Sequence, residues 1–284
     1  MSKKNISFTI KERKIEAIRW GEGVGHPVIA LHGWLDNAAS FDVLGPKLQG
    51  FDIVALDLAG QGHSDWRGQL GGYPIWSDIA EILDIADQLG WSSFSLLGHS
   101  RGAMVSAILA GAFPERVRSL VLLDGLMTHT ELEDRAPQQL ANSISHVLKL
   151  QKRQRNYYDS FQDAVAARAN GFVGVAEDDA AILASRGVLN DGVSWYWGSD
   201  PLVAAPSEFK LTPNQARAFL DAITCSNFVA IAKNGLLRDH DLSLEWLDNN
   251  PHVNRHYFEG GHHFHMTELS PSLLEFIQTG LNKG

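Results

Sequence analysis

The sequence is poor in cysteine, in long apolar runs and in positive charge, and each shortage excludes a class of protein. Cys225 is the only cysteine, so no intramolecular disulfide can form, and a reducing cytoplasm is the expected location. No stretch approaches the ~18 apolar residues of a membrane span, and the first residues lack the apolar run of an export signal. The formal net charge of −9 argues against nucleic acid or an anionic membrane as the main partner.

Glycine motifs that bind phosphate groups are also missing. The chain has no P-loop and no Gly-x-Gly-x-x-Gly directly after an apolar run of strand length. Backbone N–H groups in such loops hold the phosphates of nucleotides and dinucleotides. We therefore expect neither a nucleotide nor an organic cofactor.

Two regions of the chain alternate short apolar runs with helical patterns. "HPVIALHG" and "FDIVALDLAG" are continuous apolar runs ending in glycine, which is typical of parallel strands buried on both faces. A helix is predicted between them, from Ala38 to Leu48. The alternation lapses over residues 126–212, where most segments have helical periods and the aromatic cluster "WYW" occurs at Trp195–Trp197. The sequence thus predicts one α/β domain with an insertion that is mostly helical.

Gly-His-Ser occurs twice, and one copy has the surroundings of a nucleophile. Ser100, in "GHSRG" at 98–102, lies between a predicted strand and a predicted helix, as the G-x-S-x-G motif requires. The sharp turn exposes the hydroxyl, and the helix N-terminus favours developing negative charge. Ser64 is followed by Asp65 and Trp66 with no helical period, so we predict a loop there. Ser100 is the candidate nucleophile.

A serine nucleophile needs a base for its proton and donors for the oxyanion. "HGW" ends a predicted strand, so the backbone N–H of Trp34 can form an oxyanion hole with the N–H of Arg101. Near the C-terminus, "GGHHFH" follows the last predicted strand and offers His262, His263 and His265 as candidate bases.

These motifs together resemble the α/β-hydrolase superfamily. "HGW", "DLAGQGHS", "GHSRG", "LVLLDG" and "GGHHFH" have its order and spacing, and "HGWLDNAASFD", "SWYWGSDPLV" and "AKNGLLRD" are similar to its serine hydrolase-like branch. The resemblance implies an α/β fold with a mostly parallel eight-stranded sheet and helices on both faces. Residues 1–125 and 213–284 would form the core domain, and residues 126–212 would form a helical cap, or lid.

The resemblance also assigns roles to residues. It implies Ser100 as nucleophile, His262 as base, the Trp34 and Arg101 N–H groups as oxyanion hole, and buried structural roles for His32 and His99. The His262–His265 spacing also fits metal ligands, but no nearby acid or second cluster supports a metal, and none is expected.

Two aspartates are candidates for the acid that orients the base. The superfamily usually places this acid in a G-x-x-D pattern after the insertion, where "IAKNGLLRD" has Leu236 near the expected position and Asp239 three residues later. Asp124 ends the predicted strand "SLVLLD", where relatives such as the haloalkane dehalogenases carry their acid. We prefer Asp124 slightly, because a strand end fixes geometry better than a lengthened loop. Asp241 is expected to be a helix N-cap.

The resulting prediction is a carboxylesterase that hydrolyses small to medium acyl esters through an acyl-enzyme, as a monomer or homodimer. Trp34 is expected to form a wall of the substrate pocket, with Phe172 and Trp195–Trp197 as further candidates for an apolar lining. A carbon–carbon bond hydrolase or a perhydrolase with the same triad is an alternative. A small-molecule-binding signalling module with slow turnover is another.

Overall fold

Eight strands form one sheet in the computed structural model, which describes residues 1–68, 71–171 and 173–284. In order across the sheet, the strands are β1 Lys3–Ile10, β2 Arg13–Trp20, β4 Phe51–Leu56, β3 His26–Leu31, β5 Phe94–His99, β6 Val117–Leu123, β9 Ser226–Asn234 and β10 Asn254–Gly261. β1 pairs antiparallel with β2, and β2 pairs antiparallel with β4, whereas the remaining neighbours are parallel. The expected mostly parallel eight-stranded sheet is confirmed.

Helices cover both faces of the sheet because its central strands are apolar on both sides. Every residue of β4 and β5 is buried. Ile82 and Val105 belong to the core on one face, and Leu273 belongs to the core on the other. The helices that flank the sheet are α1 Ile75–Gln88, α2 Arg101–Ala112, α6 Pro213–Asp221, α7 Asp241–Asn249 and α8 Pro271–Leu281.

The helix expected from Ala38 to Leu48 is wrong. Two 3₁₀ turns occupy this stretch, at Ala38–Phe41 and Gly45–Lys47. Pro46 has no backbone N–H to donate, and its ring disfavours a continuous α-helix through the preceding turn. At Gly45, a Cβ would lie 2.8 Å from the Trp20 ring, so glycine lets this turn pack directly on the sheet.

Within its described residues, the segment between β6 and α6 contains three α-helices and a small two-stranded sheet. Its elements are α3 Ala136–Leu150, α4 Phe161–Ala169, α5 Glu177–Gly187, β7 Val188–Asn190 and β8 Trp195–Trp197. The aromatic cluster Trp195–Trp197 is thus a strand within a segment expected to be mostly helical. β7 and β8 form an antiparallel hairpin. Leu183 of α5 accepts a hydrogen bond from the Asn37 side chain at 2.9 Å, which fastens this segment to the loop after β3.

Over the described parts of the chain, no helix combines the length and the apolar character needed to cross a membrane.

Candidate active site

Ser100 occupies a strained turn between β5 and α2. Its φ is +52° and its ψ is −115°, a combination that non-glycine residues rarely adopt. Glycines on both sides make the turn possible. A Cβ at Gly98 would lie 2.6 Å from Ala103 Cα, and one at Gly102 would lie 2.0 Å from the Leu31 carbonyl oxygen. The first N–H groups of α2 therefore begin directly beside the serine.

Asp124 follows β6, and its carboxylate meets His262. Asp124 Oδ2 lies 2.5 Å from His262 Nδ1, and the Asp124 side chain is buried. The backbone N–H of Ala232 donates to Oδ1 at 3.1 Å, and the N–H of Leu236 donates to Oδ2 at 2.7 Å. Two backbone donors thus hold the carboxylate in one orientation toward the imidazole, leaving Nε2 as the free ring nitrogen for a proton.

The Asp124 carboxylate occupies space that is open only because residue 235 is glycine. A Cβ on Gly235 would lie 2.1 Å from Asp124 Oδ2, so any other residue there displaces the acid or the loop. The segment in which the superfamily pattern would place an acid instead supplies the Leu236 N–H to Asp124. Sequence reasoning missed this role for Gly235, although the glycine in "AKNGLLRD" was its only available signal.

The other two aspartates lie elsewhere. Asp239 ends the 3₁₀ turn Leu237–Asp239, its side chain is 74% exposed, and it pairs with Arg238 rather than with a histidine. Asp241 is the first residue of α7 and not its cap. His240 is the N-cap, and its Nδ1 accepts from the Ser243 N–H at 3.3 Å, so the expectation for Asp241 is wrong by one position.

The Trp34 turn and the start of α2 present backbone donors. Leu35 has a φ of +60°, and its N–H donates to the Gln61 side chain at 2.7 Å. Across the described residues, the N–H groups of Trp34 and Arg101 have no protein acceptor. The Arg101 side chain points away toward the Tyr73 carbonyl and Asp78, with 2.6 Å between its Nη2 and Asp78 Oδ2. Only the Arg101 backbone is therefore directed toward the serine.

A buried cluster of histidines supports the segment that carries His262. His99 Nε2 donates to the His262 carbonyl oxygen at 2.9 Å, and the rings of His99 and His262 lie 4.7 Å apart. His263 Nε2 lies 3.0 Å from Asp36 Oδ2, and His265 Nε2 lies 2.8 Å from Ser40 Oγ. Burial, together with the neighbouring histidines, holds the pKa of His99 and of His265 well below the usual value.

Asp36 carries a buried negative charge beside this cluster, and Arg168 is its counter-ion. Burial alone would raise the pKa of Asp36, but His263 and Arg168 outweigh it and hold that pKa well below its usual value. Arg168 Nη2 donates to Asp36 Oδ1 at 2.8 Å. His32 is buried separately, its Nδ1 being 2.7 Å from the Gly33 carbonyl oxygen and its Nε2 accepting from the Leu58 N–H.

One group of side chains has the composition of a metal site. Asp36, His99 and His263 each offer a ligand atom, and these atoms lie within 4.8 Å of one another. No sequence pattern connects Asp36 with these histidines, because it lies far from them along the chain. Its two oxygens already contact Arg168 and His263, so a cation there would compete with the guanidinium for the same carboxylate.

Two adjoining cavities lie where the segment between β6 and α6 covers the Trp34 turn. Cavity A, of about 220 Å³, is lined mostly by apolar groups and includes Trp34, Leu35, Tyr158, Val173 and Trp197. Cavity B, also of about 220 Å³, shares Leu35, Tyr158, Trp197 and Ser199 with it and extends to Arg153 and Arg155. Trp34 lines cavity A, and its indole Nε1 donates to the Val203 carbonyl at 2.9 Å. The lining expectation for Phe172 lies outside the described residues.

Comparison with known proteins identifies a family. The protein-family model described as the alpha/beta hydrolase fold matches residues 26–145 of the sequence. The human serine hydrolase-like protein is 40% identical over 144 residues, which cover 49% of this chain and 70% of that protein. The crystal structure of the hypothetical protein PA1622 from Pseudomonas aeruginosa PAO1 is 38% identical, with a TM-score of 0.91 over 97% of both chains. The Mycobacterium tuberculosis esterase Rv0045c is 35% identical over 122 residues, covering 42% of this chain and 40% of that protein.

Proposed function

Because this chain belongs to the serine hydrolase-like branch of the α/β-hydrolase superfamily, we propose that it is a carboxylesterase with the triad Ser100, His262 and Asp124. Its substrates are small to medium acyl esters, which it cleaves through an acyl-enzyme. No cofactor takes part in this reaction.

Each residue has a distinct role in the proposed mechanism. Ser100 Oγ attacks the ester carbonyl while His262 Nε2 takes its proton, and the N–H groups of Trp34 and Arg101 stabilise the oxyanion. Asp124 holds the imidazole in the tautomer protonated at Nδ1 and stabilises its charged form. His262 then protonates the leaving alcohol, and a water molecule activated by the same nitrogen hydrolyses the acyl-enzyme.

The observation that carries the proposal is the contact between Asp124 and His262 beside Ser100. The Asp124 carboxylate lies 2.5 Å from His262 Nδ1. His99, the residue directly before Ser100, donates a hydrogen bond to the His262 carbonyl oxygen. Two backbone donors hold this carboxylate and Gly235 leaves it room, which suits a histidine that must keep one tautomer during proton transfer. This arrangement favours catalysis over a site that only binds a ligand.

Cavity A and one relative support this substrate class. Trp34 connects the cavity to the proposed oxyanion hole, since neither Ser100 nor His262 is among the described residues that line it. We propose that residues 126–212 act as a cap over Ser100 and that Trp34 forms one wall of the acyl pocket. A mostly apolar cavity of about 220 Å³ suits a short to medium acyl chain rather than a long one. The similarity to esterase Rv0045c supports ester hydrolysis over carbon–carbon bond cleavage.

The test is pre-steady-state hydrolysis of 4-nitrophenyl acetate, butyrate and octanoate. We expect a burst of nitrophenol in the wild type and none with Ser100→Ala. Asp124→Asn should lower kcat by about 10⁴-fold, because the wrong imidazole tautomer then faces the serine. Asp239→Asn is the matched control, since its carboxylate is exposed, and its kcat should stay within about twofold of wild type.

Circular dichroism of each variant separates lost chemistry from lost folding. A wild type that turns over none of the esters contradicts the carboxylesterase proposal. Loss of turnover in Asp239→Asn with retention in Asp124→Asn contradicts the choice of acid.

A further inference from the structure

A strongly basic stretch stands out in an otherwise acidic chain. Residues 149–155, "KLQKRQR", contain four cations and no acid, whereas the whole chain has a formal net charge of −9. The stretch begins at the end of α3, in the segment between β6 and α6. The four cations are Lys149, Lys152, Arg153 and Arg155, and we call this set the basic stretch.

No carboxylate among the described residues pairs with any member of the basic stretch. By contrast, many other arginines of this chain, such as Arg67, Arg168 and Arg186, form ion pairs with buried acids. Unpaired cations concentrated at one place produce a local positive potential that attracts anions.

Aromatic rings hold one of these cations in place. The Arg155 guanidinium lies 4.5 Å from the centre of the Tyr196 ring and 5.5 Å from the Trp66 ring. Stacking on aromatic rings fixes the plane of a guanidinium while its N–H groups remain able to donate. Trp66 belongs to the loop after β4 and Tyr196 to β8, so the arginine is held from two elements.

Two members of the basic stretch line cavity B, and Trp34 is not among its lining residues. Arg153 and Arg155 line cavity B, which adjoins cavity A through Leu35, Tyr158 and Trp197. Asp200 is the acid among the lining residues, and its two oxygens already accept from Tyr73 and the Leu202 N–H. From Trp34, the linings of the two cavities lead across mostly apolar groups to Arg153 and Arg155, which form no ion pair among the described residues. Arg168 also lines cavity A, but its guanidinium is paired with Asp36.

From this juxtaposition we propose that Arg153 and Arg155 bind a negative charge on the substrate, remote from the reacting carbonyl. This inference rests on the proposed esterase function and specifies its substrate class, an ester that ends in a carboxylate or phosphate. The charge-assisted hydrogen bonds form to the part of the substrate that lies in cavity B, while the apolar part fills cavity A. The anion lies on either the acyl or the alcohol part, and two pairs of substrates distinguish these cases.

The first measurement compares 4-nitrophenyl octanoate with the monoester 4-nitrophenyl suberate, which has the same chain length and a terminal carboxylate. In the Arg153→Gln/Arg155→Gln double variant, KM for the suberate should rise on the order of fivefold. KM for the octanoate and kcat for both should stay within about twofold. A parallel pair, 4-sulfophenyl butyrate and 4-nitrophenyl butyrate, tests an anion on the alcohol part.

Arg118→Gln is the matched control. Arg118 is exposed near the start of β6, at the end of the sheet opposite to Ser100, and should leave all KM values unchanged. With lysine at position 155 (Arg155→Lys), KM for the suberate should lie between those of the wild type and the double variant, because lysine keeps the charge but lacks the planar guanidinium donors. Equal KM changes for charged and neutral members of both pairs would overturn the proposal, since the two arginines would then serve the fold or another partner.

A binding measurement separates failure of this inference from failure of the esterase proposal. Hexyl phosphate and 1-hexanol are titrated into Ser100→Ala, with tryptophan fluorescence as the signal because Trp34 and Trp197 line cavity A. Tighter binding of hexyl phosphate that disappears in the double variant supports the anion site even if no ester is hydrolysed. Equal binding of both probes overturns the anion site even if esters are hydrolysed.

Discussion

The position of Asp124 depends on neighbours that lie more than a hundred residues further along the chain. Its own φ of +46° is unfavourable for aspartate, and the N–H groups of Ala232 and Leu236 hold its carboxylate. A group restrained in this way loses little entropy on reaching the geometry that supports an imidazolium. For the proposed triad, we therefore expect the surroundings of Asp124 to matter as much as its identity.

Gly235→Ala tests this restraint directly. The added Cβ would lie 2.1 Å from Asp124 Oδ2, so the carboxylate must move away from His262 Nδ1. We expect kcat for 4-nitrophenyl butyrate to fall at least about a hundredfold while the variant stays folded. Gly71→Ala is the control, because its Cβ would make only an ordinary contact of 3.6 Å with Glu208. Wild-type kcat in Gly235→Ala would show that the acid tolerates displacement.

The sequence supports the choice of Ser100 more strongly than the choice of acid, for a physical reason. A strand, a turn with two glycines and a helix are local features, and the sequence around Ser100 predicts all three. Whether Asp124 or Asp239 reaches His262 depends on how the loop after β9 folds back, which no local pattern specifies. The role of Gly235 cannot be predicted locally either, because it depends on the position of the Asp124 carboxylate, which lies far away along the chain.

Among the secondary-structure elements, α5 is joined to the sheet by a buried ion pair. Arg186 Nε lies 2.8 Å from Asp57 Oδ2, and Arg186 Nη1 donates to the Asn5 side chain at 2.8 Å. Asp57 also accepts from the N–H groups of Ala38 and His63. The pair thus connects the segment between β6 and α6 with the first strand and with the loops after β3 and β4.

Arg186→Met should destabilise the fold because it leaves a buried carboxylate without its cation. Loss of one partner of a buried pair typically lowers the free energy of unfolding by about 3 kcal/mol or more. Arg217→Met removes an exposed pair with Glu245 and should cost less than about 1 kcal/mol. Urea unfolding of both variants gives the comparison, and equal losses would show that the buried pair adds nothing specific.

Helix ends with strong caps could be predicted from the sequence, whereas weak or irregular elements could not. Ser270 is the N-cap of α8 and Pro271 its first residue, a pair that is typical of helix starts, and Ser270 Oγ accepts from the Leu273 N–H. The 3₁₀ turns between Ala38 and Lys47 have apolar spacing that also fits an α-helix. β8 lies in a segment whose other patterns are helical, although its aromatic residues and the turn at Asp191, whose carboxylate accepts from the N–H groups of Val193 and Ser194, are local signals for a hairpin.

For the molecule as a whole, buried histidines make stability dependent on pH. His32, His99 and His265 are fully buried, and burial lowers the pKa of each. An unfolded chain binds protons at these positions once the pH falls below about 6.5, whereas the folded chain does not. The unfolded state then binds more protons, so the free energy of unfolding rises with pH and falls on acidification.

We therefore expect the free energy of unfolding to fall steeply between pH 7 and pH 5. Each buried histidine contributes up to about 1.4 kcal/mol per pH unit in that range. His265→Gln keeps a polar group near Ser40. In this variant the slope of the free energy of unfolding against pH should be smaller by up to that amount. Urea titrations at half-unit intervals of pH measure both slopes. Parallel curves for wild type and His265→Gln would exclude a contribution from this histidine.

The strand order has a consequence for synthesis on the ribosome. β6 pairs with β9, yet residues 124–225 lie between them. At ~5–20 residues per second, translation of that stretch takes on the order of 5–20 s. During this interval one edge of β6 has no partner strand, and Asp124 lacks the backbone donors of Ala232 and Leu236. The nascent chain thus exposes an apolar sheet edge for seconds, which is a surface for chaperones to cover until β9 emerges.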